Sequence, residues 1–394
     1  MKKSLFLVAL AGLALTGCVK NEVADSVKQS TPLAFDSPVL YSNVNTGTKA
    51  NVYGEINTFK YEGSDVDYTY PRDENFTIFA VEHAGNLQSW KADGVTEPEF
   101  SGSAISRDPD LDAWAPKKDL GEGKTGYYYW PDENKMSFAA FSPADLELGD
   151  VKPSYGAQGF ILNGFSVNTD ASRQYDMLFS KRAVNKTAAN MQSGASKYSG
   201  IPIEFQHALS SIHFSIGKEN VEESVRLNKL ELINVVNLGD FTENIKSETE
   251  EYAIAPNWDV DASKTDSFVS FVGDIPFRAQ AQYVSSIAAE ENKTLTEGQT
   301  KNVSHPLLLI PQDLSDDLAL KITYTVGSGS AAETKTKTVQ LNQYPNESAI
   351  TEWEIGKRYT YRIVYGSASA FKDIIFFAPE TESWKPVDVI QIVL

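Results

Sequence analysis

Along most of this chain apolar residues recur at every second position, and that period restricts it to extended strands with one buried face. In LALKITYTV, Leu318, Leu320, Ile322, Tyr324 and Val326 share one side, while Lys321, Thr323 and Thr325 take the other. SSIHFSIG aligns Ile212, Phe214 and Ile216 opposite His213 and Ser215, and RYTYRIVYG aligns Tyr359, Tyr361, Ile363 and Tyr365. These read as half-buried antiparallel strands. NFTIFAVE and KMSFAAFSP are apolar on both sides, as central strands covered on both faces are. Helical spacing is scarce; VEESVRLNKLEL (221–232) fits either a short helix or a turn followed by a strand. The expected fold class is all-β, as two sandwiches.

The entry segment has another logic. Lys2 and Lys3 precede an apolar run from Leu5 to Leu15, about 16 Å long as a helix and too short for a hydrocarbon core of about 30 Å. It ends in Leu15-Thr16-Gly17-Cys18, with the only cysteine of the chain. A charged start, a short apolar core and small residues before a break describe a secretory signal. Leu15-Thr16-Gly17-Cys18 resembles a bacterial lipobox, which implies lipid on the Cys18 sulfur and cleavage just before it. Residues 1–17 are then signal and 18–31 a polar, aperiodic tether. The boundary between the two sandwiches is expected in the polar stretch 183–200, giving units of 32–190 and 191–394. The net charge of −18 disfavours nucleic acid and anionic lipid surfaces as partners.

Motifs for catalysis, cofactors and metals do not hold together, so an enzyme is not expected. GEGKTG (121–126) has Lys118 where a phosphate loop needs glycine, and reads as a turn. DPDLDAW places Asp108, Asp110 and Asp112 at alternate positions, but Pro109 and Ala113 break calcium-loop geometry, so it reads as a solvated acidic loop. His83, His207, His213 and His305 lack zinc-ligand spacing and read as structural histidines. Tyr127, Tyr128 and Tyr129 are either packing residues or an exposed glycan-binding face, and Trp353 and Trp384 are expected in the core or at its rim.

Six stretches in order resemble the fimbrillin-like family of Bacteroidales surface lipoproteins, subunits of type V pili. They are YYYWPDENKMSFAAFSP (127–143), YDMLFS (175–180), IPIEFQHALSSIHFSI (201–216), HPLLLIPQDL (305–314), TEWEIGKRYTYRIVYG (351–366) and SWKPV (383–387). Within them, Phe205, Leu209, Ile212 and Phe214 are expected to seed the second core. The resemblance implies two tandem transthyretin-like antiparallel sandwiches, exported to the outer-membrane surface and anchored through lipid at Cys18. It implies that a protease removes the first strand and that another subunit's strand fills the groove.

Here the first strand corresponds to PLAFDSPVLY (32–41). Lys49 stands where many relatives carry the processing arginine, with Arg72 as a fallback. The C-terminal VDVIQIVL (387–394) is either the donated strand or an ordinary last strand. The implied partners are other pilus subunits, the outer membrane and a host or bacterial surface ligand, with a stalk, tip or anchor role left open. The competing expectation is a non-polymerising surface lipoprotein that binds glycan through its loops.

Overall fold

The computed structural model describes residues 31–36, 38–40, 75–88, 90, 94–95, 100–144, 153–191, 200–218, 222–246, 254–278, 282–284, 307–343, 350–367, 372–376 and 380–383. Cys18, Lys49, Arg72, His305, Trp384 and the C-terminal 387–394 lie outside the described residues.

The protein is all-β, and its described residues form four main sheets and one small hairpin. Sheet I has the order Val39–Leu40, Glu204–His207, Leu178–Ser180, Lys135–Ser142, Phe76–His83, Ser101–Asp108 and Ala113–Ala115. Ala183–Lys186 joins it beside Lys135–Ser142, and Gly94–Val95 beside Phe76–His83. Sheet II runs Asn257–Val260, Leu238–Thr242, Gly159–Ser166 and Ser154–Gly156. Sheet III centres on Ser210–Lys218 and Lys357–Ser367, and sheet IV runs Thr265–Pro276, Val225–Val236, Ala319–Val326 and Glu333–Gln340.

Sheets I and II face each other through aromatic side chains. Phe141 stacks on Phe160 at 4.7 Å, and Phe179 meets Phe241 at 5.0 Å. Sheets III and IV do the same with Ile212, Phe214 and Tyr361 against Leu230, Ile322 and Tyr324 in one apolar cluster. Phe76–His83 and Lys135–Ser142 are buried on both faces, as their unbroken apolar runs require, because a second cluster covers the outer face of sheet I.

Several expectations change. Ser210–Lys218 and Lys357–Ser367 pair in parallel over eight residues, as do Val39–Leu40 and Glu204–Phe205. Alternation fixes which face is buried but not strand direction, and the long intervening chain permits a parallel crossover. Of the two readings for 221–232, the turn followed by a strand holds among the described residues, with strand from Val225 to Val236.

The division at 190/191 does not match the pairing. Ala183–Lys186 is a strand of sheet I with Ala183 and Val184 buried, and Glu204–His207 also belongs to sheet I. Phe205 therefore packs with the first-sheet cluster and not with Leu209, Ile212 and Phe214. Farther on, Leu238–Thr242 returns to pair with Gly159–Ser166. A polar composition marked the stretch, but pairing with Lys135–Ser142 and the burial of Ala183 and Val184 hold its first residues in the sheet.

The edge strand Glu333–Gln340 pairs regularly with Ala319–Val326. Lys335 and Lys337 lie opposite Tyr324 and Ile322, and Lys335 is exposed beside Glu333. Lysines along an edge strand oppose edge-to-edge association.

Candidate functional site

The outer face of sheet I holds an inserted segment, residues 31–40. Its walls are Ala113–Ala115 and residues 128–130 on one side, and 200–205 on the other. On the first side, Trp130 N–H donates to Thr31 O (3.1 Å), Leu33 N–H to Tyr128 O (2.7 Å), and Phe35 and Trp114 exchange N–H···O bonds of 2.7 and 3.1 Å. On the other side, Ile201 N–H donates to Ala34 O (2.8 Å) and Asp36 N–H to Ile201 O (3.0 Å). Both edges of the segment are thus hydrogen-bonded, as for a central strand. Val39–Leu40 then pairs with Glu204–Phe205.

Side chains complete the fit. Leu33, Ala34 and Phe35 are 1%, 1% and 0% exposed. Ala34 meets Ala113 and Ala115, and these small residues let the wall approach closely. Phe35 lies edge-to-face with Phe76 (5.9 Å) and Phe138 (5.4 Å), within a cluster that also holds Trp114, Trp130, Leu178 and Phe205. Leu33 and Phe35, two of the apolar residues of the expected first strand 32–41, are thus buried.

Gly200 makes the approach possible. A Cβ there would stand 2.5 Å from Asp36 N and Phe35 C and 2.9 Å from Ala34 O, all backbone atoms that cannot rotate away. Gly200→Ala should lower stability by about 1–3 kcal/mol, as overpacking does. It should also speed hydrogen exchange at the Asp36 and Ile201 amides by about tenfold or more. Unchanged exchange at both amides would refute the close-approach role. Sequence reading singled out neither Gly200 nor Trp114; the signal available was a glycine directly before the alternating Ile201, Ile203 and Phe205.

The acidic loop buttresses one wall. Asp108 is buried, and its Oδ1 accepts from the N–H groups of Asp110 (2.7 Å) and Leu111 (3.1 Å). Its Oδ2 accepts from Lys117 Nζ and from Tyr127 Oη (3.1 Å). Burial pushes the carboxyl up, but the bonds from Lys117, Leu111, Asp110 and Tyr127 outweigh it and hold the pKa below the ordinary value. Asp108 is thus a structural carboxylate rather than part of a solvated loop, while Asp110 and Asp112 are exposed. GEGKTG is the turn of the hairpin Lys117–Gly121 with Lys124–Tyr127.

The described histidines are structural. His83 meets Ser137 Oγ (2.9 Å), His207 meets Asp176 (2.9 Å) and His213 meets Ser211 Oγ (2.8 Å), all buried. Burial raises the Asp176 pKa against the pull of His207, and burial, helped by Arg358, holds that of His213 well below its ordinary value. Trp353 is core, its indole donating to Tyr361 Oη at 2.9 Å. Among the described residues no group of three or more His, Cys, Asp or Glu comes together as a metal site, and no helix is long and apolar enough to cross a membrane.

Beside the groove lies a pocket of about 310 Å³ lined by Leu33, Phe100, Lys118, Tyr128, Tyr129 and Glu82, among others. Tyr129 is 48% exposed, Tyr127 and Tyr128 half-buried.

Fold and groove together define an all-β protein whose first described segment is an insert between strands distant from it in the chain. The sequence matches the fimbrillin-like family over residues 74–384, and the chain belongs to that family. No curated protein matches it. Among solved structures it is similar to a fimbrial protein from Bacteroides vulgatus, at 15% identity with TM-score 0.42, covering 78% of this chain and 92% of that one. It is also similar to a Bacteroides ovatus protein assigned to cell adhesion, at 14% identity with TM-score 0.45, covering 90% and 98%.

Proposed function

We propose that this chain is a pilus subunit, stalk or tip, built as two tandem transthyretin-like sandwiches. It is exported to the outer-membrane surface as a lipoprotein through Cys18 and assembled by strand exchange. Proteolysis near Lys49 frees the segment that contains residues 31–40, and a strand from another subunit takes its place. The observation that carries this reading is the segment itself, with both backbone edges bonded and Leu33, Ala34 and Phe35 fully buried. Two side chains at about 1.5–3 kcal/mol each and six main-chain bonds at about 1 kcal/mol net each make its loss cost on the order of 10 kcal/mol. That is comparable to the stability of a whole domain. A vacated groove therefore strongly favours a replacement strand.

The test is the mass of the protein recovered from intact cells. A pilus subunit gives a chain shortened to about Ala50 in ladders that heat dissociates, and truncation of 387–394 abolishes the ladders if that segment is the donor. A monomer that keeps its lipid and residues 18–49 overturns the reading and favours a non-polymerising surface lipoprotein or a lipid-retaining anchor.

A further inference from the structure

The pocket beside the groove has a chemistry that strand exchange does not use. Its lining mixes polar surface with aromatic and apolar side chains: Phe100 and Tyr128 meet edge-to-face at 4.9 Å, Met136 is buried, and the exposed Tyr129 lies at the rim. Two charged groups of opposite sign complete the lining. Glu82 accepts from Asn134 Nδ2 at 2.6 Å through Oε1, and Oε2 has no partner among the described residues. Lys118 has no ion pair among the described residues, and its Nζ stands 5.6 Å from the Tyr128 ring centroid. At about 310 Å³ the pocket lies at the small end of the roughly 300–1,000 Å³ range that holds small organic ligands.

These groups discriminate among ligand classes. An anion entering the pocket faces Glu82, and a cation faces Lys118, so a neutral molecule is favoured. A purely apolar molecule would desolvate both charges without bonding either, which is costly. A neutral polyol with one apolar face satisfies all of them: aliphatic C–H groups pack on an aromatic ring, one hydroxyl donates to Glu82, and another accepts from Lys118.

We propose that this pocket binds a neutral pyranose ring, such as a terminal residue of a surface glycan, and that Leu33 forms one of its walls. Leu33 N–H is bonded to Tyr128 O, and Pro32 bridges Tyr129, so the inserted segment also fixes the tyrosine run that shapes the pocket. The sugar site is complete only while the groove is filled. The Leu33 linkage rests on the segment seen in the uncut chain and does not depend on which strand later replaces it.

The experiment is saturation-transfer NMR on the uncut full-length protein in detergent, with methyl α-D-mannopyranoside, methyl β-D-galactopyranoside and methyl β-D-N-acetylglucosaminide as probes. At least one pyranoside should bind with millimolar affinity, weakened at least fivefold by Tyr129→Ala and again by Lys118→Ala. Both side chains are at the pocket rim, and thermal unfolding checks that the variants stay folded. Removing residues 18–49 from the protein should abolish the signal, and adding a peptide of residues 31–40 should restore it. Absence of binding by all three pyranosides overturns the site. Binding that both rim variants leave unchanged also overturns it, and binding that survives loss of the segment overturns the Leu33 wall. Ladder formation is measured separately, so failure of the sugar site and failure of strand exchange are told apart.

Discussion

A protein stripped of residues 18–49 takes back a synthetic peptide of residues 31–40, and Phe35→Ala in that peptide weakens binding by a factor of about 100 or more. The magnitude follows from the place of the ring. Phe35 is fully buried and lies edge-to-face with both Phe76 and Phe138. Truncating such a ring in a core costs about 3–5 kcal/mol, and each 1.4 kcal/mol is tenfold in affinity. Titration of the two peptides, followed by the fluorescence of the neighbouring Trp114 and Trp130, measures the ratio directly. A Phe35→Ala peptide that binds within threefold of the parent would show that the backbone bonds alone hold the segment, contrary to the packing described.

The second large effect concerns pH. Glu243 is fully buried just after the strand Leu238–Thr242, with Oε2 accepting from Phe160 N–H at 2.8 Å beside Gly159, where there is no room for a Cβ. Burial raises its pKa from 4.5 to about 7, against the opposing pull of the Phe160 N–H and of Arg182. Because the folded pKa lies above the unfolded one, its contribution to stability is fully present below about pH 4.5. It is lost as pH rises through about 7. At 1.36 kcal/mol per unit, the wild-type protein should lose about 2–3 kcal/mol relative to Glu243→Gln between pH 5 and pH 8. Denaturant unfolding of both proteins at the two pH values measures this. Parallel pH profiles would show that Glu243 is ionised throughout the range.

The fold was legible wherever one physical signal dominated. Leu320, Ile322 and Tyr324 were placed on one buried face because a period of two has a single structural reading, and the doubly apolar FTIFAV proved to be a strand covered on both sides. What alternation could not supply was the partner of each strand. Phe205 and Ile212 look alike in sequence and are seven residues apart, yet they pack in different clusters, since nothing local to either encodes the sheet it joins. The same limit hid most of the candidate site. Leu33 and Phe35 were readable as the apolar content of a first strand, whereas the walls that grip them come from residues 113–115, 128–130 and 200–205. Gly200 announced itself only once the backbone of residues 34–36 lay against it. Asp108 read as a solvent-facing carboxylate because Lys117 and Tyr127, which hold it, are brought to it by a hairpin.

Among the described residues the chain passes between the pair of sheets I and II and the pair of sheets III and IV three times: after His207 into Ser210–Lys218, after Val236 back to Leu238–Thr242, and after Val260 out again to Thr265–Pro276. At the crossing, Trp258 Nε1 donates to Ala208 O at 2.7 Å, and Leu308 N–H donates to the Gln174 side chain at 2.8 Å. Such lacing alters how the molecule carries load. The two sheet pairs are not joined by a single strap of chain, because Leu238–Thr242 returns to the ladder of Gly159–Ser166 and Asn257–Val260 pairs with it in turn. Separating the two sheet pairs would therefore have to break that ladder as well as straighten the linking chain.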